Sequence, residues 1–186
     1  MLSGLAIVEK APTVHDYAVQ LAQFLRESLN YVGKQVSLKE EFQYIQHYID
    51  IQKLRFRDRI SFLIECPQEC ETAVIPAIIL QPLVENALVH GVGSYLQEGQ
   101  IRIWASCQKN RIILGVEDNG VGIPEAELQA LEEKLYQPFE IGKKGTGLPS
   151  VVYRLRYFFQ EDVQVQLESD KTHTCVKIEI PRREQC

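Results

Sequence analysis

Three short runs of this chain hold residues whose types and spacing could do chemistry: QPLVENALVHG at 81–91, DNGVGI at 118–123 and GKKGTGL at 142–148. In the first, Asn86 and His90 stand four residues apart. On a helix both fall on one flank of the apolar stripe made by Leu80, Val84, Ala87, Leu88 and Gly91. A neutral amide oxygen there can complete the shell of a Mg²⁺ held mainly by phosphates and water, because Mg²⁺ takes oxygen ligands and keeps much of its hydration. His90 could donate a hydrogen bond to a phosphate oxygen. The plainer alternative is an Asn86 that caps a local backbone kink and a His90 satisfied at the surface.

In the second run, Asp118 closes an apolar, strand-like segment. An ionised carboxylate only accepts hydrogen bonds, so it selects a donor such as the exocyclic amine of adenine. Gly120 and Gly122 have no Cβ and tolerate positive φ, which lets the following loop pack on the flat face of a base. An ordinary Asp-Asn-Gly turn is the alternative, but here the glycines repeat and no strand follows at once to close a hairpin. In the third run, Gly145 and Gly147 lead through Thr146 and Leu148 into a helix whose first N–H groups favour an anion. Lys143 and Lys144 add attraction for a polyphosphate, although the GxxxxGK[ST] order of a Walker P-loop is absent. A flexible loop with a helix cap would also account for these residues. Taken together, the three runs read as a nucleotide pocket.

The elements that must position these runs follow from periodicity. Residues 2–9 read as the end of a helix, broken by Ala11-Pro12-Thr13, with Thr13 able to cap the next helix and Asp16 three residues on. That helix carries Val14, Tyr17, Ala18, Leu21, Phe24, Leu25 and Leu29 at helical spacing. The stripe needs a partner, which residues 2–9 supply in part and a second copy of the chain would complete. Gly33 to Val36 is a connector. Ser37 opens another helix with Glu40 at the capping-box position and Leu38, Phe42, Ile45, Ile49 and Gln52 inward.

From Arg59 onward the pattern changes. Residues 60–66 read as a strand, 75–91 as a helix after a Pro start, and 101–107 and 111–118 as strands joined by a turn at 108–110. A polar, partly helical loop runs to Phe139. Residues 147–160 form a helix with Leu148, Val151, Val152, Leu155 and Phe159 inward, and strands at 163–168 and 173–180 finish the chain. The expected fold is α+β: a two-layer sandwich of one mixed, mainly antiparallel sheet with helices on one face, preceded by an N-terminal helical segment.

Bulk properties set the bounds. The chain has 186 residues, 45% hydrophobic and 24% charged, as expected of a globular protein with one domain and a small appendage. A formal net charge of −5 gives no reason to expect nucleic acid. No apolar run approaches the roughly 18–20 residues that span a bilayer, and the N-terminus lacks a secretion-signal pattern, so a soluble segment is expected. Cys66 and Cys70 have no second Cys/His pair at metal-ligand spacing, and the five cysteines read as reduced residues of a cytosolic protein.

In this order the three runs resemble the N box and the two glycine boxes of the ATP-binding domain shared by histidine kinases, heat-shock chaperone ATPases and MutL, the Bergerat-type fold. SLKEEFQYIQHYIDIQKLRFRDRI and IPAIILQPLVENA narrow the resemblance, over essentially the whole chain, to LytS/YehU-type sensor histidine kinases. The resemblance implies residues 1–34 as part of the dimerisation and phosphotransfer helices and residues 37–183 as the ATP-binding catalytic domain. It implies that Asn86 coordinates Mg²⁺ and the phosphates with His90 nearby, that Asp118 reads the adenine amine, and that Gly120 and Gly122 shape the base pocket. Lys144, Gly145, Thr146, Gly147 and Leu148 would hold phosphate, and residues 124–144 would form a lid. ATP and Mg²⁺ are the implied cofactors. The implied partners are a response-regulator receiver domain and a second copy of the chain, joined through the N-terminal helices. The setting is a cytoplasmic domain of a bacterial sensor reaching the membrane only through a part outside this chain.

There are departures from the family pattern. The phosphoaccepting histidine of such kinases lies in a motif like PHFLFN, which none of His15, His47, His90 and His173 matches, so the chain is expected to begin just after it. Val89 stands where a basic residue is often found, and Leu148-Pro149-Ser150 replaces Leu-x-Asn. The ATP-hydrolysing branches place a water-activating Glu four residues before the N-box Asn. Here that position is Pro82, and Glu85 lies about 100° away from Asn86 on the helix. Phosphoryl transfer to a protein side chain is therefore expected rather than hydrolysis. The alternatives are a GHKL-type ATPase and a nucleotide-binding module without turnover.

Overall fold

The computed structural model describes residues 12–93, 98–137, 147–160 and 162–183. The described chain opens with α1 (Pro12–Tyr31), followed by the short strand β1 (Gln35–Ser37) and α2 (Leu38–Phe56). β2 (Ile60–Glu65) and β3 (Val74–Pro76) lead to α3 (Leu80–Asn86), which widens into a π-helical turn at Ala87–Val92. Then come β4 (Gly99–Gln108), β5 (Arg111–Asp118), α4 (Glu125–Tyr136), α5 (Leu148–Phe159), β6 (Gln164–Ser169) and β7 (Thr174–Pro181).

The main sheet has the order β2-β4-β5-β7-β6, with β2 and β4 parallel and every other pairing antiparallel. This is the expected mixed, mainly antiparallel α+β architecture. Strand alternation explains its two faces. Ile101, Ile103 and Ala105 of β4, Ile112, Leu114 and Val116 of β5 and Ile178 and Ile180 of β7 are buried in one core with Leu83 and Val84 of α3 and Val151, Val152, Leu155 and Phe159 of α5. The opposite face carries charge: Arg102 reaches Glu65 at 2.6 Å and Lys177 reaches Glu168 at 2.8 Å.

α2 begins as its sequence predicts. Ser37 Oγ accepts from the Glu40 N–H at 3.2 Å while the Glu40 carboxylate accepts from the Ser37 N–H at 2.8 Å, a complete capping box. Leu38, Phe42, Ile45 and Ile49 are buried as expected, but so are Tyr44, Tyr48 and the charged Glu41.

Several local expectations are corrected. The helix expected over 75–91 begins only at Leu80, because Val74–Pro76 pairs with Gln35–Ser37 as a second, two-stranded sheet; this also turns part of the 33–36 connector into strand. The backbone is already helical at Pro12, so Thr13 lies inside α1 and not at its cap. Cys70 and Cys107, 37 residues apart in sequence, are joined as a disulfide with a Cα–Cα distance of 5.8 Å, which overturns the expectation of reduced thiols for that pair. Cys66 and Cys175 remain free, and burial pushes both thiols up to about 11. The helix expected at 2–9 lies outside the described residues.

Candidate functional site

The last α-helical residue of α3 is Asn86, and His90 sits in the wide turn that follows. Such π turns recur at functional sites, because the extra residue per turn re-aims side chains. The turn also brings Gly91 against the end of β5. A Cβ added at Gly91 would stand 2.3 Å from Asp118 Oδ1, and one added at Gly120 would stand 2.3 Å from the Gly91 carbonyl carbon. Neither position admits a side chain, so the end of the Asn86 helix and the Asp118 loop are packed backbone to backbone.

Asp118 is buried and accepts from the Gly120 N–H at 2.9 Å. Burial holds its carboxyl above the usual aspartate range, opposed by that amide and by the nearby His173. Its Cα pairs across the sheet with Ile101 on one side and Thr174 on the other, which fixes it at the mouth of the sheet. The loop beyond is anchored twice. Gly122 has φ 71°, and a Cβ there would lie 1.4 Å from the Asp170 carbonyl oxygen. The Ile123 N–H donates to Ser169 Oγ at 2.8 Å. Gly147, at φ 105°, opens α5 beside Asn86: a Cβ there would stand 3.4 Å from Asn86 Nδ2.

These elements enclose a cavity of about 600 Å³. Asn86, His90, Asp118, Gly122, Gly147 and Leu148 all line it. Gly120 backs Asp118 through its amide. Lys143, Lys144, Gly145 and Thr146 lie outside the described residues. The cavity wall is mainly apolar: Val116, Leu167 and Val176 line it with Thr174, while α4 contributes Glu127, Leu131 and Lys134. The sequence signal for these three α4 residues, inside the segment expected as a lid, is only that 127, 131 and 134 recur at helical spacing and so share a face. Pro82 and Glu85 are not among the lining residues. Glu85 instead accepts from Gln81 Nε2 at 2.6 Å.

The donor set suits a cation carried in by its ligand. Among the described residues no group of three or more His, Cys, Asp or Glu side chains could hold a metal, and Asn86 places one neutral amide at the cavity. That fits a Mg²⁺ whose other ligands are nucleotide phosphates and water. A mainly apolar cavity that is also lined by a buried carboxylate, an amide, an imidazole and the start of a helix can hold a flat polar ring and an anionic tail.

Residues 73–184 match the family model described as histidine kinase-, DNA gyrase B-, and HSP90-like ATPase, and residues 1–60 match one described as histidine kinase. The sensor histidine kinase BtsS of Escherichia coli K12 is 32% identical over 89% of this chain and 27% of its own length. The sensor histidine kinase YesM of Bacillus subtilis is 28% identical over 99% of this chain and 30% of its own length. The chain thus spans less than a third of these relatives. Among solved structures, the histidine kinase domain of the blue-light activated histidine kinase of Erythrobacter litoralis EL346 matches with a TM-score of 0.56 at 18% identity, over 94% of this chain and 82% of that one. Histidine kinase ThkA in complex with the response regulator TrrA matches with a TM-score of 0.55 at 19% identity, over 94% of this chain and 51% of that one. No helix among the described residues is long and apolar enough to cross a membrane.

Proposed function

We propose, from the premise that the chain belongs to the histidine kinase-, DNA gyrase B-, and HSP90-like ATPase family, that it is the ATP-binding catalytic region of a two-component sensor histidine kinase. The observation that carries this reading is the cavity that Asp118, Asn86, His90 and Gly147 line together. Asp118 accepts from the adenine amine, Gly122 and the apolar wall take the base, and Asn86 with the start of α5 orients the phosphates. Lys144, Gly145 and Thr146 join the phosphate end. Asn86 would hold a Mg²⁺ carried in with the nucleotide, which would supply charge neutralisation on the phosphates.

The chemistry asked of this chain is positioning: the γ-phosphate is held for in-line attack by a histidine that lies outside the chain, and is then relayed to a response-regulator receiver domain. Dimerisation through the N-terminal helices and attachment to a membrane through a part outside this chain complete the reading. Glu85 is turned towards Gln81 and Pro82 has no base, which disfavours hydrolysis.

Calorimetric titration of the chain with Mg–ATP, followed by incubation with γ-labelled ATP, tests this. Saturable binding that Asn86→Ala abolishes, without acid-labile label on the protein, is expected. Stable acid-labile phosphate on the chain would overturn the external acceptor. No binding at millimolar nucleotide would favour a module without turnover, which the solvent-exposed Val89 in place of a basic residue would suit.

A further inference from the structure

The segment that launches α3 is held in an unusual way. Ile78 sits at φ 59°, a left-handed conformation that a β-branched residue rarely adopts. The N-cap position Ile79 has no side chain that could cap the helix. The cap comes from another helix: the Glu41 carboxylate, buried on α2, accepts from the N–H groups of Ile78 at 2.8 Å, Ile79 at 2.6 Å and Leu80 at 2.8 Å. From the opposite side, Arg154 on α5 donates to the carbonyls of Ala77, at 3.0 Å, and Ile78. Between them the two side chains satisfy both edges of the strained segment, and their charges oppose each other across it.

We infer that Glu41 and Arg154 are positioning residues that set Asn86 against Gly147, and so govern the grip on the phosphates of the nucleotide. The inference rests on the reading of this cavity as an ATP site. Its geometric basis is that both helices are pinned the same distance from the site. Leu80, where Glu41 grips α3, precedes Asn86 by six residues. Arg154, where α5 grips the same segment, follows Leu148 by six residues. Each lever is roughly 9 Å of helix at 1.5 Å per residue. A shift of the clasp therefore moves Asn86 and the start of α5 relative to each other, while Asp118, held in the sheet by β4, β5 and β7, stays where it is. A clasp that merely stabilised the fold would have no preference for one end of the cavity.

Glu41→Gln keeps the volume but replaces one acceptor oxygen with an N–H₂ donor that meets amide donors. Arg154→Lys keeps the charge but cannot donate to two carbonyls in the same fork. With the wild-type chain as reference, ATP and adenosine affinities are measured for both variants by calorimetry, with adenosine read by displacement where binding is weak. The expected result is a loss of about tenfold or more in ATP affinity, as for a lost charged hydrogen bond, with adenosine affinity changed less than about twofold. The double variant is expected to lose less than the product of the single losses, because the residues act on one segment. Should E41Q not fold, R154K carries the same comparison. Unchanged ATP affinity, or equal losses for ATP and adenosine, would overturn the inference alone. A wild-type chain that binds no ATP would overturn the functional reading and this inference with it.

Discussion

Asp118 sets recognition against folding. Its carboxyl is held above its ordinary 3.8 mainly by burial, so the folded chain keeps that proton more tightly than the unfolded one. The sign follows: the residue costs nothing below the unfolded value, and stability is lost as pH rises through the raised folded value. Asp118→Asn removes the charge and keeps the shape and the acceptor for the Gly120 N–H. It is expected to raise the thermal midpoint at neutral pH, with the gain narrowing as pH falls towards 3.8. ATP affinity is expected to fall about tenfold or more, since a hydrogen bond to a charged acceptor contributes about 1.5–3 kcal/mol. Scanning calorimetry across pH, with ATP titrations on the same samples, checks both halves. A variant no more stable than wild type at neutral pH would mean that the burial cost is relieved elsewhere. Gly91 and Gly120 belong to the same design: a methyl at either would meet atoms within 2.3 Å, and the Asn86 turn could no longer close on Asp118.

Among the elements, α2 joins the N-terminal helix to the site. Tyr44 is buried with its ring stacked between Phe24 at 5.1 Å and Tyr31 at 5.2 Å, both of α1. Its hydroxyl lies 2.7 Å from Ser28 Oγ and donates to Gln81 Oε1 at 2.7 Å on α3. Ser28 Oγ also donates to the Phe24 carbonyl at 2.8 Å, so two hydroxyl protons serve three contacts that run from α1 through Tyr44 to Gln81. Tyr44→Phe keeps the stacking and takes the donor from Gln81 Oε1 while Ser28 keeps the Phe24 carbonyl, so a loss of about 1–3 kcal/mol is expected in urea unfolding, with m unchanged. An unchanged midpoint would mean that water replaces the hydroxyl. Periodicity made most of these elements readable: the Ser37–Glu40 capping box, the strand ending in Asp118 and the inward stripe of α5 stand as the sequence predicts. It could not reveal Glu41. A carboxylate beside apolar positions reads as a solvated flank, and only the approach of residues 78–80, nearly forty positions on, gives it partners. Nor could it reveal β1 and β3, three residues each, whose pairing is a long-range event with no local signature. The runs around Asn86, Asp118 and Gly147 that border the cavity were legible because glycines required by close backbone approach are visible one by one.

For the molecule as a whole, the cavity and the dimerising surface that we propose are built from different parts of the chain. Every lining residue of the cavity lies between Leu83 and Val176, whereas α1 turns Phe24 into α2 and leaves Val14, Leu25 and Leu29 exposed, Leu29 at 78%. At 100° per residue those three fall within about 60° of one another and Phe24 lies well outside that arc, so α1 presents a second apolar stripe away from its own domain. Burial against a second copy would gain about 1.5–3 kcal/mol per leucine, doubled by two-fold symmetry. Leu25→Glu with Leu29→Glu places four carboxylates in that seam. It is expected to turn a concentration-dependent dimer into a monomer by sedimentation equilibrium while Mg–ATP affinity stays within about twofold, because neither side chain touches the cavity or the clasp. A wild-type chain monomeric at every concentration would remove α1 as a sufficient dimer seam. A dimer that survives the double substitution would move the seam elsewhere, and a matching loss of ATP binding would show that nucleotide loading and association are coupled and not separable.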